Sequence, residues 1–275
     1  MMAALDLRCP HISFFTELCL HYDSEPMLGD TDISPVAALL ADPGRSRILL
    51  ALADGRALAA SVLADEAGIA PSTASAHLSK LVNGGLLTVE RHGRHRYFRL
   101  SGPEVGELLE TLSRLSGTRP IRSLRDGTKA RALRYARTCY DHLAGMVGTE
   151  LMAGLLEQGV LAGGDGVFDP GTADRDRLSS PGLDFDYRIT PAGIERLGEF
   201  GIEFDALPRR RPLIRYCVDW SEQRHHLAGA LGAAITQRML ELRWIRRADR
   251  SRAVHVTDAG RAGLHDRLGI RLAPY

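Results

Sequence analysis

Long apolar runs are missing from these 275 residues; none approaches the ~20 needed to cross a bilayer as a helix, so the chain is read as having no membrane partner. Cysteine is scarce. Cys9, Cys19, Cys139 and Cys217 are scattered and form no C-x-x-C pair, which excludes a disulfide framework and the common thiolate motifs. A charge excess is missing too: 35 Lys and Arg face 34 Asp and Glu, for a net charge of +1. Any surface for a polyanion must therefore be a local patch. There is no glycine-rich nucleotide loop, no HExxH and no G-x-S-x-G, so no familiar catalytic motif is encoded. The chain is read as a non-enzyme with no cofactor. Its opening lacks a basic stretch followed by an apolar core, which reads as no signal peptide and as reduced thiols in the cytoplasm. Apolar residues at 44% and charged residues at 25% belong to a globular chain long enough for two domains with cores.

What is present centres on Ala57 to Leu100. Leu58, Val62 and Leu63 give a first helix its apolar side, Gly68 suits its end, and Pro71 suits the start of a second helix. Ala74, Leu78, Leu81 and Val82 then recur at helical spacing. The opposite face carries Ser72, Ser75, Ala76, Ser79 and Asn83, flanked by Thr73 and Lys80, with His77 at the border. No acid lies on that face. Leu87 and Val89, then Phe98 and Leu100, alternate as half-buried strands around a turn at Arg91-His92-Gly93-Arg94. Between Ala70 and Leu100, Lys80, Arg91, Arg94, Arg96 and Arg99 stand against Glu90, a local charge of about +4. A helix shaped for a major groove beside a basic hairpin reads as a winged helix-turn-helix. Ser72, Thr73, Ser75, Ala76, His77, Ser79 and Lys80 are the candidate groove face. Arg91, Arg94 and Arg96 are the candidate phosphate contacts.

The DPGRSRILLAL helix, the APSTASAHLSKL helix and the GGLLTVERHGRHRYFRL hairpin together resemble the ArsR/SmtB group of bacterial winged-helix repressors, from about Pro35 to Leu112. The resemblance implies a homodimer built on the first and last helices of the domain, released from DNA by an effector. It does not carry the family's metal sites. Ala59 and Ser61 stand where the paired thiolates usually stand, and the last helix offers Glu104, Glu107 and Glu110 but no His.

Around this stretch, residues 1–31 are poorly patterned and read as a flexible arm. Ser34-Pro35, Asp42-Pro43 and Pro103 each mark a helix start. Residues 32–115 form the winged-helix domain, 116–130 a polar linker, and 131–275 a duplicated module with repeats at about 131–202 and 211–271. Cys139-Tyr140-Asp141-His142-Leu143-Ala144-Gly145 recurs as Cys217-Val218-Asp219, six inserted residues, then His226-Leu227-Ala228-Gly229. Gly148 matches Gly232, Val160-Leu161 matches Trp244-Ile245, and Thr190-Pro191-Ala192-Gly193 matches Thr257-Asp258-Ala259-Gly260. Each copy reads as a long helix, a short hairpin and a capped helix, the first hairpin carrying a loose insert from Gly163 to Gly182. The expected fold is mainly α with small β-hairpins, an α+β chain.

Cys139, Asp141 and His142 in one copy, and Cys217, Asp219 and His226 in the other, are types that bind borderline metals or reactive small molecules. Trp220 could line an apolar pocket beside them. The structural reading is the stronger one here, because cysteine behaves as a small buried hydrophobe and Asp caps helices or pairs with Arg. No metal is assigned. The functional expectation is a dimeric transcriptional regulator, a repressor, on a palindromic double-stranded operator. These seven residues are its candidate effector site. A small-molecule enzyme or an interaction scaffold carrying a winged helix are the alternatives.

Overall fold

The computed structural model describes residues 30–275 apart from 93–94, 118–119, 121–122, 170, 172–178, 181–186 and 250. The arm read over residues 1–31 lies outside this description except for Asp30 and Thr31, and so do Arg94 and much of the 163–182 insert.

From Ser34 onward the chain packs around two cores. The first gathers α1 (Ser34–Leu40), α2 (Pro43–Ala51), β1 (Leu58–Ala59), α3 (Ala60–Ala67), α4 (Pro71–Asn83), β2 (Leu87–His92), β3 (His95–Leu100) and α5 (Pro103–Leu115). Local chemistry sets the helix ends. The Asp42 carboxylate accepts from Arg45 N at 2.9 Å, and Pro43 follows where no N–H is needed. Gly68 ends α3 in the left-handed region at φ 62°, and Pro71 opens α4. Helix α1 buries no residue; Arg45 and Ser46 hold it by donating to its last carbonyls, Ala38, Leu39 and Leu40. Ile48, Leu49, Leu52, Leu63, Leu78, Leu81, Phe98 and Leu109 fill this core. Each Leu so buried contributes about 1.5–3 kcal/mol.

Two readings are corrected here. Leu58 is not on the first helix; it lies in β1 opposite Phe98, because the β3 edge satisfies its backbone before the helix begins at Ala60. Arg91 and His92 are not turn residues. They pair with Arg96 and His95, since the β2–β3 ladder continues to the tip of the wing. The sheet order is β1-β3-β2.

The second core is built by α6 (Leu124–Tyr135), which starts inside the stretch read as a linker, and by two similar halves. The first half is β4 (Arg137–Cys139), β5 (His142–Ala144), α7 (Met146–Glu157), β6 (Leu161–Ala162), β7 (Ser179–Ser180), β8 (Arg188–Ile189) and α8 (Pro191–Phe200). The second half is β9 (Arg215–Val218), β10 (His225–Ala228), α9 (Gly229–Glu241), β11 (Ile245–Arg247), β12 (Val254–Val256) and α10 (Asp258–Leu268). The repeat thus carries one more element than its sequence pattern conveyed: each copy opens with a hairpin, and its Cys and His lie on strands ahead of the helix. The turn at the hairpin's end explains this, since Gly145 and Gly229 both take positive φ, at 77° and 78°, and α7 and α9 begin only there.

The two halves exchange contacts. Helix α7 packs on β10 and α9 on β5, so the helix of each copy covers the hairpin of the other. The matched capping turns are equally alike. Thr190 accepts from Gly193 N at 2.9 Å and Thr257 from Gly260 N at 3.0 Å. A Cβ on either glycine would stand 2.1 Å from a backbone carbonyl, that of Val160 or Trp244. Gly260→Ala should therefore lower stability by about 1–3 kcal/mol through overpacking. Gly198→Ala, on the exposed side of α8 with nothing within 4 Å of the added carbon, should raise it by about 1 kcal/mol. Urea melts of the two variants check the contrast.

Candidate functional site

Helix α4 presents Ser72, Thr73, Ala76, Ser79 and Lys80 to solvent, with Ser75 half-buried. Burial of Ala74, Leu78 and Leu81 on the other side holds this face outward. No acid occurs between Pro71 and Asn83. Ser79 Oγ donates to Ser75 O at 3.0 Å, along the helix's own axis. His77 is turned away from this face: its Nε2 lies 3.4 Å from Asp42 Oδ1 and its ring rests on Gly44 at the start of α2. On the wing Arg91 and Arg96 sit opposite one another and exposed, while Glu90 is ion-paired with Arg99. The one acid between Ala70 and Leu100 is thus neutralised locally, and Lys80, Arg91 and Arg96 stand exposed beside the acid-free helix. Arg94 lies outside the described residues.

Between α5 and the C-terminal half runs a buried polar seam. Arg137 is fully buried; it donates to Asp219 Oδ2 at 2.9 Å, approaches Glu110 of α5 at 3.7 Å and stacks on Trp220 at 4.5 Å. Trp220 therefore covers an arginine rather than lining a pocket with the cysteines. Arg252 donates to Glu110 at 2.6 Å. Desolvation pushes the Glu110 carboxyl up, but Arg252 and Arg137 outweigh it and hold its pKa below the usual value. Asp219 also accepts from Gly145 N at 2.7 Å and from Ser221, which turns the chain after β9. Its equivalent, Asp141, accepts a two-pronged contact from Arg211. Burial opposes its charge, yet the bonds from His142 and Arg211 bring its pKa down to about 2.

The two candidate sets converge. Cys139, His142, Cys217 and His226 are all buried, with one donor atom from each within 4.8 Å of the others. The Cys139 thiol and the two imidazoles beside it push the pKa of Cys217 well down, while the neighbouring Cys217 sulfur and burial push that of Cys139 up. Burial opposes charge on His226, but Asp219 and the Cys217 sulfur outweigh it and raise its pKa to about 9. This is an N₂S₂ set of the type that could hold a metal ion.

The helix-turn-helix domain family matches residues 40–90. The uncharacterized HTH-type transcriptional regulator YdfF of Bacillus subtilis is 39% identical over 242 residues, which span 88% of this chain and 99% of that protein. This chain belongs to the HTH-type transcriptional regulators. The HTH-type transcriptional regulator Rv0324 of Mycobacterium tuberculosis is 37% identical over 76 residues, 28% of this chain and 33% of that protein. Among solved structures, the homodimeric winged helix-turn-helix domain Mb0332 from Mycobacterium bovis, a possible ArsR-family regulator, is 32% identical. It covers 32% of this chain and 89% of that chain, with a TM-score of 0.29. The regulator's first core, with α3 and α4 followed by the β2–β3 hairpin, is a winged helix-turn-helix, the fold read from the second helix and the basic hairpin. Among the described residues no helix is long and apolar enough to cross a membrane.

Sequence reasoning missed the seam's cations, Arg137, Arg211, Arg215 and Arg252. A signal existed for two of them. Arg137 and Arg215 both stand two residues before the repeat cysteine, and each meets a glutamate one turn apart on α5, Glu110 or Glu107. Glu110→Gln leaves Arg252 and Arg137 against a neutral amide. Breaking a buried pair this way should cost the regulator about 3–5 kcal/mol. Glu104→Gln, on the exposed side of the same helix, should stay within about 0.5 kcal/mol, and denaturant melts of both separate the two.

Proposed function

We propose that the regulator is a cytoplasmic homodimeric repressor that reads a palindromic operator and is controlled through its C-terminal half. The observation that carries the reading is the continuous acid-free surface of α4, with Ser72, Thr73, Ala76, Ser79 and Lys80 exposed, beside Arg91 and Arg96 on the wing. A polyanion meets no repulsion there. The start of α4 enters the major groove, where Ser72, Thr73 and Ser75 reach base edges. Lys80, Arg91 and Arg96 hold the flanking phosphates. Arg94 is assigned to the same set from the sequence alone, as a basic residue between Arg91 and Arg96. His77 acts by fixing α4 against α2.

Dimerisation through α1 and the free side of α5 is supported by what those helices leave uncovered: α1 buries nothing, Leu108 and Leu112 are half-buried, and Leu115 is exposed. The other side of α5 is tied to the C-terminal half by Glu107–Arg215, by Glu110–Arg252 and by Arg114, which donates to Val218 O at 2.8 Å. A change in that half therefore reaches a helix of the DNA-binding part directly, which supports effector control. The reading assigns the chain no catalytic step.

Duplex binding should weaken steeply with salt, and Arg91→Ala with Arg96→Ala should flatten the slope of log affinity against log salt by about one to two units, for all sequences alike. Fluorescence anisotropy across a salt series measures this; an unchanged slope removes the wing from the phosphate contacts. A footprint of the full chain on its own upstream region should show two half-sites about 10–10.5 bp apart or a multiple of that. A single asymmetric footprint from a monomer contradicts the dimer.

A further inference from the structure

Two thiols and two imidazoles meet at a buried point that DNA binding does not use. Cys139 pairs directly with His142 across β4–β5, and Cys217 with His226 across β9–β10. Directly opposed residues on antiparallel strands project to the same face, so each hairpin offers one sulfur and one imidazole on one side. The crossed packing of α7 on β10 and α9 on β5 then brings the two hairpins together. Gly148 of α7 and Gly232 of α9 make the approach close: a Cβ there would lie 3.6 Å from His226 Cβ and 3.3 Å from His142 Cβ, respectively. None of the four residues is more than 4% exposed.

The orientation of the imidazoles is the second observation. Asp141 Oδ1 lies 3.2 Å from His142 Nδ1, and Asp219 Oδ2 lies 3.3 Å from His226 Nδ1. A carboxylate behind one ring nitrogen fixes the ring and presents the other nitrogen, as metal-binding histidines require. Here that leaves Nε2 on both rings; Nε2 of His142 and both ring nitrogens of His226 are buried without a hydrogen-bond partner. The same Cys–His–Asp grouping is thus built twice, once from each repeat, around one point.

We propose that Cys139, His142, Cys217 and His226 form a closed tetrahedral site for one thiophilic divalent cation of the zinc class, half of it supplied by each repeat. Zinc–sulfur and zinc–nitrogen distances place such ligands about 3.3–3.8 Å apart. The present separations, all within 4.8 Å, close to these by small side-chain movements. On binding, both cysteines ligate as thiolates and both histidines as neutral imidazoles, and whatever protons the four ligand atoms carry beforehand leave to solvent. Two thiolates cancel the charge of a divalent cation, so the loaded site is neutral and suited to burial. With four protein ligands it has no open position, as in metal sites that clamp structure rather than catalyse. The ion would join the two repeats. The site is separate from the positions at Ala59, Ser61 and α5 that the ArsR/SmtB resemblance brings to mind, and it does not depend on the operator reading.

The test uses the full chain carrying Cys9→Ser and Cys19→Ser, which leaves the two buried thiols as its only cysteines. Cobalt(II) is titrated under reducing, oxygen-free conditions. One equivalent should produce the intense visible bands of a tetrahedral ion and a near-ultraviolet sulfur-to-metal band. One equivalent of zinc should bleach both. The melting temperature should rise and level off at one equivalent of zinc. Adding Cys139→Ser and Cys217→Ser should abolish the bands and the rise. No bands and no rise with excess metal in the chain that keeps the buried thiols overturns the proposal, whether or not the further variants fold. Undiminished binding after loss of the buried thiols overturns it as well.

Discussion

The structure turns on one buried cation. Arg137 has no access to water, and a guanidinium in that position is tolerated only if its charge and its donors are met. Its partners come from two separate parts of the chain: Asp219 and the ring of Trp220 from the second repeat, and Glu110 from α5. Asp219 in turn holds Gly145 N and stands behind His226, while Glu110 is shared with Arg252. A single charge that must stay dry therefore draws together the hairpins of both repeats and the last helix of the winged-helix part. Removing any one partner leaves another charge exposed to a low-dielectric interior. Such a network specifies position more than it adds stability, because desolvation offsets much of the attraction.

That seam gives the DNA-binding part an unusual setting. Helix α5, which ArsR/SmtB-like proteins are expected to use for association, spends one side on its own C-terminal half. Tyr140, at the turn of the first repeat hairpin, packs into the first core, and its N–H donates to Ala53 O at 2.7 Å. Arg56 reaches the carbonyls of Ala248 and Ser251, and Arg247 the carbonyl of Asp54. The recognition helix and wing contribute none of these contacts. The two halves of the chain therefore share a boundary of ion pairs and hydrogen bonds to backbone carbonyls, crossed by the Tyr140 ring where it packs into the first core.

The winged helix was legible because its signals are local. Pro71 and Gly68 act on their own φ angles, the spacing of Ala74, Leu78 and Leu81 needs nothing beyond helical geometry, and an acid-free face is a matter of composition. The errors there are of the kind local rules make. Whether Leu58 ends a loop, starts a helix or pairs as a strand depends on β3, forty residues away. The duplication was also legible, since matched glycines and threonines must do the same steric work in both copies. The hairpin that opens each copy was not, because Cys139 and His142 are separated by too few residues to show a strand period.

By itself, the sequence determined the recognition helix, the wing, the local positive charge and the twofold repetition. Each follows from residues close together in the chain acting through backbone conformation, periodicity or net charge. Only the tertiary structure decided that Cys139, His142, Cys217 and His226 face one another, that Asp141 and Asp219 stand behind the imidazoles, and that Arg137 and Arg215 meet Glu110 and Glu107. Those contacts depend on α7 crossing to β10 and α9 to β5. That crossing is a choice of packing between two nearly identical units, and either unit alone offers no trace of it.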